Sequence, residues 1–137
     1  MKGQPNAEYQ FKRIFLPAHG HNLYPFSFSG MKSQVFFLLE KIKQRGKELT
    51  AQDIADIAYE FQEATVEILG KRLRKAANAH HAQTIAVAGG VSANTRLISY
   101  LEQQVDVHFL APAKKVYSTD NGAMIGVAGI LKWTALI

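Results

Sequence analysis

TIAVAGGVSAN, residues Thr84–Asn94, is the stretch that decides the fold. Its first five residues are apolar or β-branched, which is typical of a short buried strand. Gly89 and Gly90 follow at once and predict a tight turn, and Ser92 is placed to cap a helix. A strand that turns directly into a helix is typical of an α/β domain.

The residues after this stretch repeat the alternation of strand and helix. Val105–Leu110 predicts a second short strand, which Pro112 ends. Ser118–Asn121 then opens a last helix that runs from Ala123 to about Trp133. This helix is apolar on most sides, so we expect it to be buried. Strands that alternate with helices favour some parallel pairing.

The residues before Thr84 predict mainly helix. Apolar and polar residues alternate in FSFSG, Phe26–Gly30, which predicts a short strand, and the helix Met31–Arg45 follows and stops at Gly46. Thr50 stands three residues before Asp53, a capping-box pattern that opens the longest helix. Its apolar stripe consists of Ile54, Ile57, Ala58, Phe61, Thr65, Ile68 and Leu69.

The predicted organisation is a single helix-rich α/β lobe with a short mixed sheet. Residues 1–30 form an irregular lead-in with a short strand, residues 31–82 a helical part, and residues 83–137 an α/β part that carries the candidate site. A chain of 137 residues with 47% hydrophobic and 20% charged residues has an ordinary composition for one folded domain.

Composition also indicates the cellular environment and the type of partner. The net charge of +5 favours an anionic partner, such as a nucleotide or a nucleic acid. The absence of cysteine excludes a disulfide framework and a cysteine zinc site. No run reaches the roughly 18 apolar residues of a membrane span, and the first residues lack the apolar core of a signal peptide. We therefore expect a cytoplasmic protein with no membrane partner.

The glycine turn AGGVSAN, Ala88–Asn94, is the first candidate site. Without a Cβ, the two glycines let a flat ligand lie against the backbone, and the following helix N-terminus offers free N–H groups. Asn94 could donate and accept hydrogen bonds toward a ribose or a base edge. From the pattern alone, a turn in which the glycines serve only the backbone geometry is the commoner explanation.

Asp120, at the start of the last helix, is the second candidate. Its carboxylate could bind a metal or simply cap the helix, and capping is the commoner role. No two of the five histidines have the spacing that places two imidazoles on one metal, so we interpret all five as structural or solvated. The basic run 71–75 could contact phosphates, although a solvated helix face is the favoured interpretation.

Three motifs in order carry a family resemblance: FSFSGMK (Phe26–Lys32), AGGVSAN (Ala88–Asn94) and STDNGAMIG (Ser118–Gly126). Together they resemble the tRNA N6-adenosine threonylcarbamoyltransferase family, formerly named O-sialoglycoprotein endopeptidases. The resemblance extends from about Gly3 to Trp133.

This resemblance implies the C-terminal lobe of an actin-like, sugar-kinase-like ATPase fold and a transferase activity. Such enzymes move threonylcarbamoyl from its adenylate to N6 of adenosine 37 of tRNA. Gly90 and Asn94 match positions that contact the adenylate, and Glu8 matches an acidic residue that contacts the ribose. Asp120 matches a ligand of one divalent metal ion, iron or zinc, that the N-terminal lobe shares.

Several family features are missing or changed. Two metal-binding histidines four residues apart and a Ser-Gly-Gly loop, both of the first lobe, are absent. Gln4 replaces a glycine that contacts substrate, and Ser118 stands where cysteine is common. We therefore expect a chain that is inactive alone, being a fragment, half of a split gene or a decayed remnant. The implied partners are the missing N-terminal lobe, tRNA and accessory proteins of the pathway, and the fragment is expected to self-associate.

Two other functions fit parts of the pattern. A glycine turn near adenosine also occurs in related sugar kinases and other actin-like ATPases, although FSFSG and STDN argue against these. A non-catalytic module that docks a partner through the long helix is the third hypothesis.

Overall fold

The computed structural model describes residues 2–21, 23–118 and 122–135, and it forms two compact units that divide between His80 and His81. The first unit contains helices α1 (Phe28–Gln44) and α2 (Ala51–Ala79). The second contains, in chain order, β1 (Thr84–Ala86), α3 (Thr95–Gln104), β2 (His108–Leu110) and α4 (Gly122–Thr134). Short 3₁₀ turns span Ala7–Tyr9, Gly90–Ala93 and Lys115–Ser118.

The strand predicted at Phe26–Gly30 is wrong, because this segment begins α1. Ser27 is the N-cap, and its hydroxyl oxygen accepts from the N–H of Gly30 at 3.1 Å. A serine at the N-cap satisfies helix N–H groups that have no partner within the helix. The alternation of apolar and polar residues covers only five positions, which is a weak basis for a strand. The rings of Phe26 and Phe28 instead contact each other edge to face at 4.5 Å.

The connection from α1 to α2 agrees with the sequence pattern. Gly46 follows α1 with a positive φ of 66°, a conformation that glycine adopts readily. The predicted capping box is present: Asp53 N–H donates to the Thr50 hydroxyl at 3.1 Å, and Thr50 N–H donates to the Asp53 carboxylate at 2.9 Å. These local signals fix where the longest helix begins.

The core of the first unit forms where α1 and α2 meet the N-terminal segment. Its buried residues are Tyr9, Phe11, Met31, Ile42, Ile57, Ala64 and Ile68. The predicted stripe of α2 is only partly buried, because Ile54 and Ala58 remain exposed. These two residues line an apolar groove of about 600 Å³ between α1 and α2, which Val35, Leu39 and other apolar side chains complete.

The second unit contains the predicted parallel pairing. β1 lies parallel to β2, with Thr84 opposite His108 and Ala86 opposite Leu110. This pair is the whole sheet in the described residues, so it is parallel and smaller than the predicted mixed sheet. Ile85 of β1 and Leu97 and Leu101 of α3 are buried in this unit.

Helix α4 has the predicted position, but its predicted burial is wrong. None of its residues is buried, and Ile125 and Trp133 are 73% and 69% exposed. An apolar helix becomes buried only where another element covers it, and the described part of the chain provides no such cover for α4. Among the described residues, no helix is long and apolar enough to cross a membrane.

Candidate functional site

The glycine turn places Asn94 at the N-terminus of α3. Its side-chain oxygen accepts from the backbone N–H groups of Arg96 at 2.9 Å and Leu97 at 3.2 Å. Asn94 is therefore the helix cap, and the prediction that Ser92 caps this helix is wrong. Ser92 is buried instead, and its hydroxyl donates to the carbonyl of Gly89 at 2.7 Å. Ser92 lies within the 3₁₀ turn Gly90–Ala93, so the helix cap is two positions later than predicted.

The cap limits what Asn94 can offer a ligand. Its amide oxygen accepts two helix N–H groups, so a contact with a ligand would be a donation from its NH₂ group. Acceptors on a nucleotide, such as ring nitrogens or ribose and phosphate oxygens, fit a donor of this kind. Asn94 is half-buried, which fits a residue that serves both the helix and a surface ligand.

The two glycines of the turn have different backbone conformations. Gly89 has φ 85° and ψ 172°, a backbone conformation that is almost restricted to glycine. Gly90 has an ordinary φ, and a Cβ built on it would meet no atom within 4 Å. The backbone thus requires glycine at position 89, while at position 90 the space in front of the backbone is open.

The turn and the segment before α4 meet at one cavity. A pocket of about 310 Å³ in the second unit has Ser92, Thr95 and Ser118 in its wall, together with Ile98, Pro112 and smaller residues. Ser92 and Ser118 are both buried. Two of the three family motifs therefore contribute to the same cavity. Asp120, the predicted metal ligand, lies outside the described residues.

Glu8 lies in the first unit, on the 3₁₀ turn Ala7–Tyr9, whereas Gly90 and Asn94 lie in the second. The turn is capped by Asn6, whose side-chain oxygen accepts from the N–H of Glu8 at 3.0 Å. The Glu8 carboxylate accepts from the ammonium of Lys47 at 2.9 Å. Its side chain is 48% exposed, so it can also reach a ligand in solvent.

Behind Glu8 lies a network that sequence reasoning missed. The Tyr9 hydroxyl donates to Asp53 at 2.5 Å and accepts from Lys47 at 2.8 Å. The hydrogen bond from the Thr50 side chain, followed by that from Tyr9, lowers the pKa of Asp53. The hydrogen bond with Tyr9, followed by that with Glu8, raises the pKa of Lys47. The hydrogen bond from Tyr9 to Asp53 raises the pKa of Tyr9 as well. Lys47 therefore stays cationic, and Tyr9 stays neutral.

Asp56 connects the N-terminal loop to α2 through hydrogen bonds. This carboxylate is 3% exposed and accepts from the Gln52 side chain at 2.7 Å, the Gln4 N–H at 3.0 Å and the Asn6 side chain at 3.1 Å. The hydrogen bond from Asn6, followed by that from Gln52, lowers its pKa. A Cβ on Gly3 would lie 2.1 Å from the carbonyl oxygen of Ala55, so the loop passes close to the helix backbone. The Gln4 side chain is exposed, and the loop accommodates it.

The basic run on α2 is only partly a solvated face. Arg72 is buried, donates to the carbonyl of Leu16, and lies 5.4 Å from the centre of the Phe15 ring. Lys71 pairs with Glu67 one helical turn earlier. Arg72 therefore holds the N-terminal segment against α2, and it is not placed to bind a phosphate.

The described residues contain no group of three or more histidines, aspartates or glutamates that could hold a metal ion. His80, one of the five histidines, contacts the ring of Tyr24 at 6.0 Å between centroids. A metal site with several protein ligands is thus not assembled within the described ranges.

Comparison with known proteins identifies the family. The sequence model of tRNA N6-adenosine threonylcarbamoyltransferase matches residues 1–127. The chain belongs to this family. Proteins named tRNA N6-adenosine threonylcarbamoyltransferase are similar to it in Trichodesmium erythraeum, with 42% identity over 83% of the chain, and in Desulfotalea psychrophila, with 37% identity over 90%. A third, from Mycoplasma mobile, is 41% identical over 78% of the chain.

The chain spans about a third of the length of these threonylcarbamoyltransferase relatives, with 36%, 36% and 32% of their residues matched. The matched region contains the glycine turn, the helix cap Asn94 and the turn that carries Glu8. The resemblance drawn from the three motifs is thereby confirmed at the level of the family. The roles of Glu8, Gly90, Asn94 and Asp120 stay predictions.

Proposed function

We propose that this chain is the nucleotide-binding lobe of a tRNA threonylcarbamoyladenosine transferase with an actin-like fold. The observation that carries the proposal is the family match over residues 1–127, which includes an intact glycine turn closed by a helix-capping asparagine. The activity requires the part of the family sequence that lies outside this chain. Alone, the chain binds the nucleotide portion of the substrate and does not transfer the acyl group.

Each candidate residue has a role that its chemistry allows. The open backbone face at Gly90 receives the flat adenine ring, and the NH₂ group of Asn94 donates to an acceptor on the nucleotide. For Glu8, in the first unit, the family resemblance implies a contact with a ribose, and this role is kept as a separate proposal. The cavity between Ser92 and Ser118 lies beside the turn and contributes small polar side chains to its edge.

The proposed reaction is an acyl transfer. The N6 amine of the tRNA adenosine attacks the carbonyl carbon of the threonylcarbamoyl adenylate. A C–N bond forms, the bond from that carbon to the phosphate oxygen breaks, and AMP leaves with the electron pair while the amine loses a proton. This lobe contributes by holding the adenylate in a fixed orientation for the attack.

A metal ion, iron or zinc, is implied by the family resemblance. The described residues do not by themselves fit a complete metal site, so no step is derived through it. Asp120 is proposed as one ligand, and the remaining ligands would come from the other lobe. A metal bound there would supply Lewis-acid chemistry.

The proposed partners follow from the same assignment. They are a polypeptide with the N-terminal part of the family sequence, tRNA, and the proteins that make and deliver the adenylate. The net charge of +5 supports a polyanionic partner. The cytoplasm is the proposed compartment.

The test is the binding of AMP to this chain, measured by calorimetry. Asn94→Asp keeps a side-chain oxygen for the helix cap but removes the amide donor, so the fold should persist while AMP affinity falls about tenfold or more. Asn78→Asp is the matched control, because it makes the same change at an exposed position of α2. Failure of the chain to bind AMP, or unchanged affinity in Asn94→Asp, would contradict the proposal.

A further inference from the structure

The apolar groove between α1 and α2 lies within the first unit and is open to solvent. Val35 and Leu39 of α1 line one wall, and Ile54 and Ala58 of α2 line the other. Leu49, in the connection between the two helices, also lines it. Leu39 and Ile54 are 40% and 57% exposed, and a continuous exposed apolar surface of this kind marks an interaction site.

The spacing of the lining residues suits a helical occupant. On α2, Ile54, Ile57 and Phe61 recur at intervals of three and four residues, and Val35 and Leu39 do so on α1. The groove therefore follows the helices for about two turns, roughly 10 Å. An amphipathic helix fits such a groove, because its own apolar side chains recur at the same spacing.

The charged side chains along the groove are mainly basic. Lys32 lines the groove, and Lys43 lines a smaller cavity that adjoins it. These two lysines lie three turns apart on α1, about 16 Å along the helix, and neither takes part in an ion pair between described residues. The smaller cavity also contains Lys47, which is paired with Glu8, and one acidic residue, Glu48. The lining therefore keeps a net positive charge.

A second copy of this chain is a poor match for these charges. The chain has a net charge of +5, so two copies repel each other on average. Its exposed apolar helix, α4, contains Lys132 and no acidic residue between Gly122 and Thr134. In the groove, α4 of another copy would bring a further cation and no carboxylate for Lys32 or Lys43. The charges therefore favour a different, acidic polypeptide.

We propose that the groove between α1 and α2 binds an amphipathic helix of a partner polypeptide. The apolar stripe of that helix packs on Leu39 and Ile54, and two of its acidic residues, three turns apart, pair with Lys32 and Lys43. Apolar burial supplies most of the affinity, and the charges select the partner. The surface belongs to the first unit alone and does not depend on nucleotide binding, so it can be tested separately from the proposed function.

The experiment compares two synthetic amphipathic peptides of about five helical turns that share one leucine stripe. One peptide has two glutamates beside the stripe, three turns apart, and the other has lysines at the same positions. Fluorescence anisotropy with the whole chain should show the acidic peptide binding about tenfold more tightly, with a smaller difference at high salt. Lys43→Glu should weaken the acidic peptide and strengthen the basic one. Lys41→Glu, in the same last turn of α1 but outside the groove lining, is the matched control and should change neither affinity by more than about twofold.

The apolar contact is tested with two exposed residues of the first unit. Ile54→Gln should weaken the acidic peptide about tenfold, whereas Phe37→Gln, at a position that is 67% exposed but does not line the groove, should not. Circular dichroism checks that both variants fold. Equal affinity for the two peptides, binding of neither, or unchanged affinity in Ile54→Gln would overturn the proposal. If the chain associates with itself in sedimentation and Ile54→Gln makes it monomeric, a second copy fills the groove, and the acidic partner is the wrong occupant.

Discussion

Single residues in this chain have structural roles that the sequence pattern does not separate from their proposed binding roles. Gly89 and Gly90 are neighbours in one motif, yet only Gly89 has a backbone conformation that demands glycine. Asn94 was expected to face a ligand, and its oxygen caps α3. Its residue type could be predicted to matter, but the use of its side-chain oxygen as the helix cap depends on the three-dimensional turn.

The two glycines give a test that separates stability from binding. Gly89→Ala should destabilise the fold by about 1–3 kcal/mol, because alanine is strained at this φ and ψ. Gly90→Ala meets no neighbouring atom, so it should fold normally and bind AMP more weakly, since the methyl group occupies the open face. Urea unfolding and calorimetry measure the two effects. Normal AMP binding by Gly90→Ala would contradict the contact.

Two aspartates make the stability of the fold depend on pH in the acidic range. The pKa values of Asp53 and Asp56 are lowered by their hydrogen bonds, so both carboxylates stabilise the fold above the ordinary aspartate pKa of about 3.9. This stabilisation is lost as the pH falls through their lowered pKa values. The melting temperature should fall steeply below about pH 4. The fall should be less steep in Asp56→Asn, because this variant lacks the ionised carboxylate at every pH. Asp106→Asn makes the same change at an exposed position and is the matched control.

At the scale of elements, local signals predicted the structure well where one signal dominates. The Thr50–Asp53 capping box and Gly46 lie where the pattern puts them, and the parallel strands were correctly expected. The prediction of a strand at FSFSG was wrong. The alternation of apolar and polar residues there is outweighed by the Ser27 cap and by the helix that follows it. The Lys47 network joins residues 38 and 39 positions apart, and no periodic pattern reports such a contact.

The start of α1 can be tested with two serines of the same motif. Ser27→Ala removes the side-chain cap on Gly30 and should cost about 1 kcal/mol of stability. Ser29→Ala lies inside the first turn, is exposed, and should change stability by less than about 0.5 kcal/mol. Chemical denaturation followed by circular dichroism measures both. Equal effects of the two substitutions would contradict a helix that begins at Phe28.

For the whole molecule, α4 is the main feature that composition alone misjudged. Its apolar residues predicted a buried helix, and the structure leaves the helix exposed. The chain spans about a third of the length of its relatives, so the family sequence contains further polypeptide that could cover α4. Most helices of each unit could be predicted from their own residues, whereas the apolar pattern of α4 does not determine whether the helix is buried.

The exposed helix predicts self-association of this chain. Changing Ile125 and Ile130 together to lysine removes apolar surface that is 73% and 65% exposed, and should shift the chain toward monomer in sedimentation experiments. Gln103→Lys, on α3, adds a charge at an exposed position and should leave association unchanged. A monomeric unsubstituted chain at high concentration would contradict the prediction.

The apolar groove between α1 and α2 has a practical consequence for how the melting temperature is measured. Dyes that fluoresce in apolar surroundings bind exposed hydrophobic surface, and their signal is usually taken as a sign of loosened packing. Here the folded protein already offers such dyes a groove of about 600 Å³, with Leu39 and Ile54 at its surface. Their fluorescence will therefore be high before heating begins, and unfolding is better followed through the helical signal in circular dichroism.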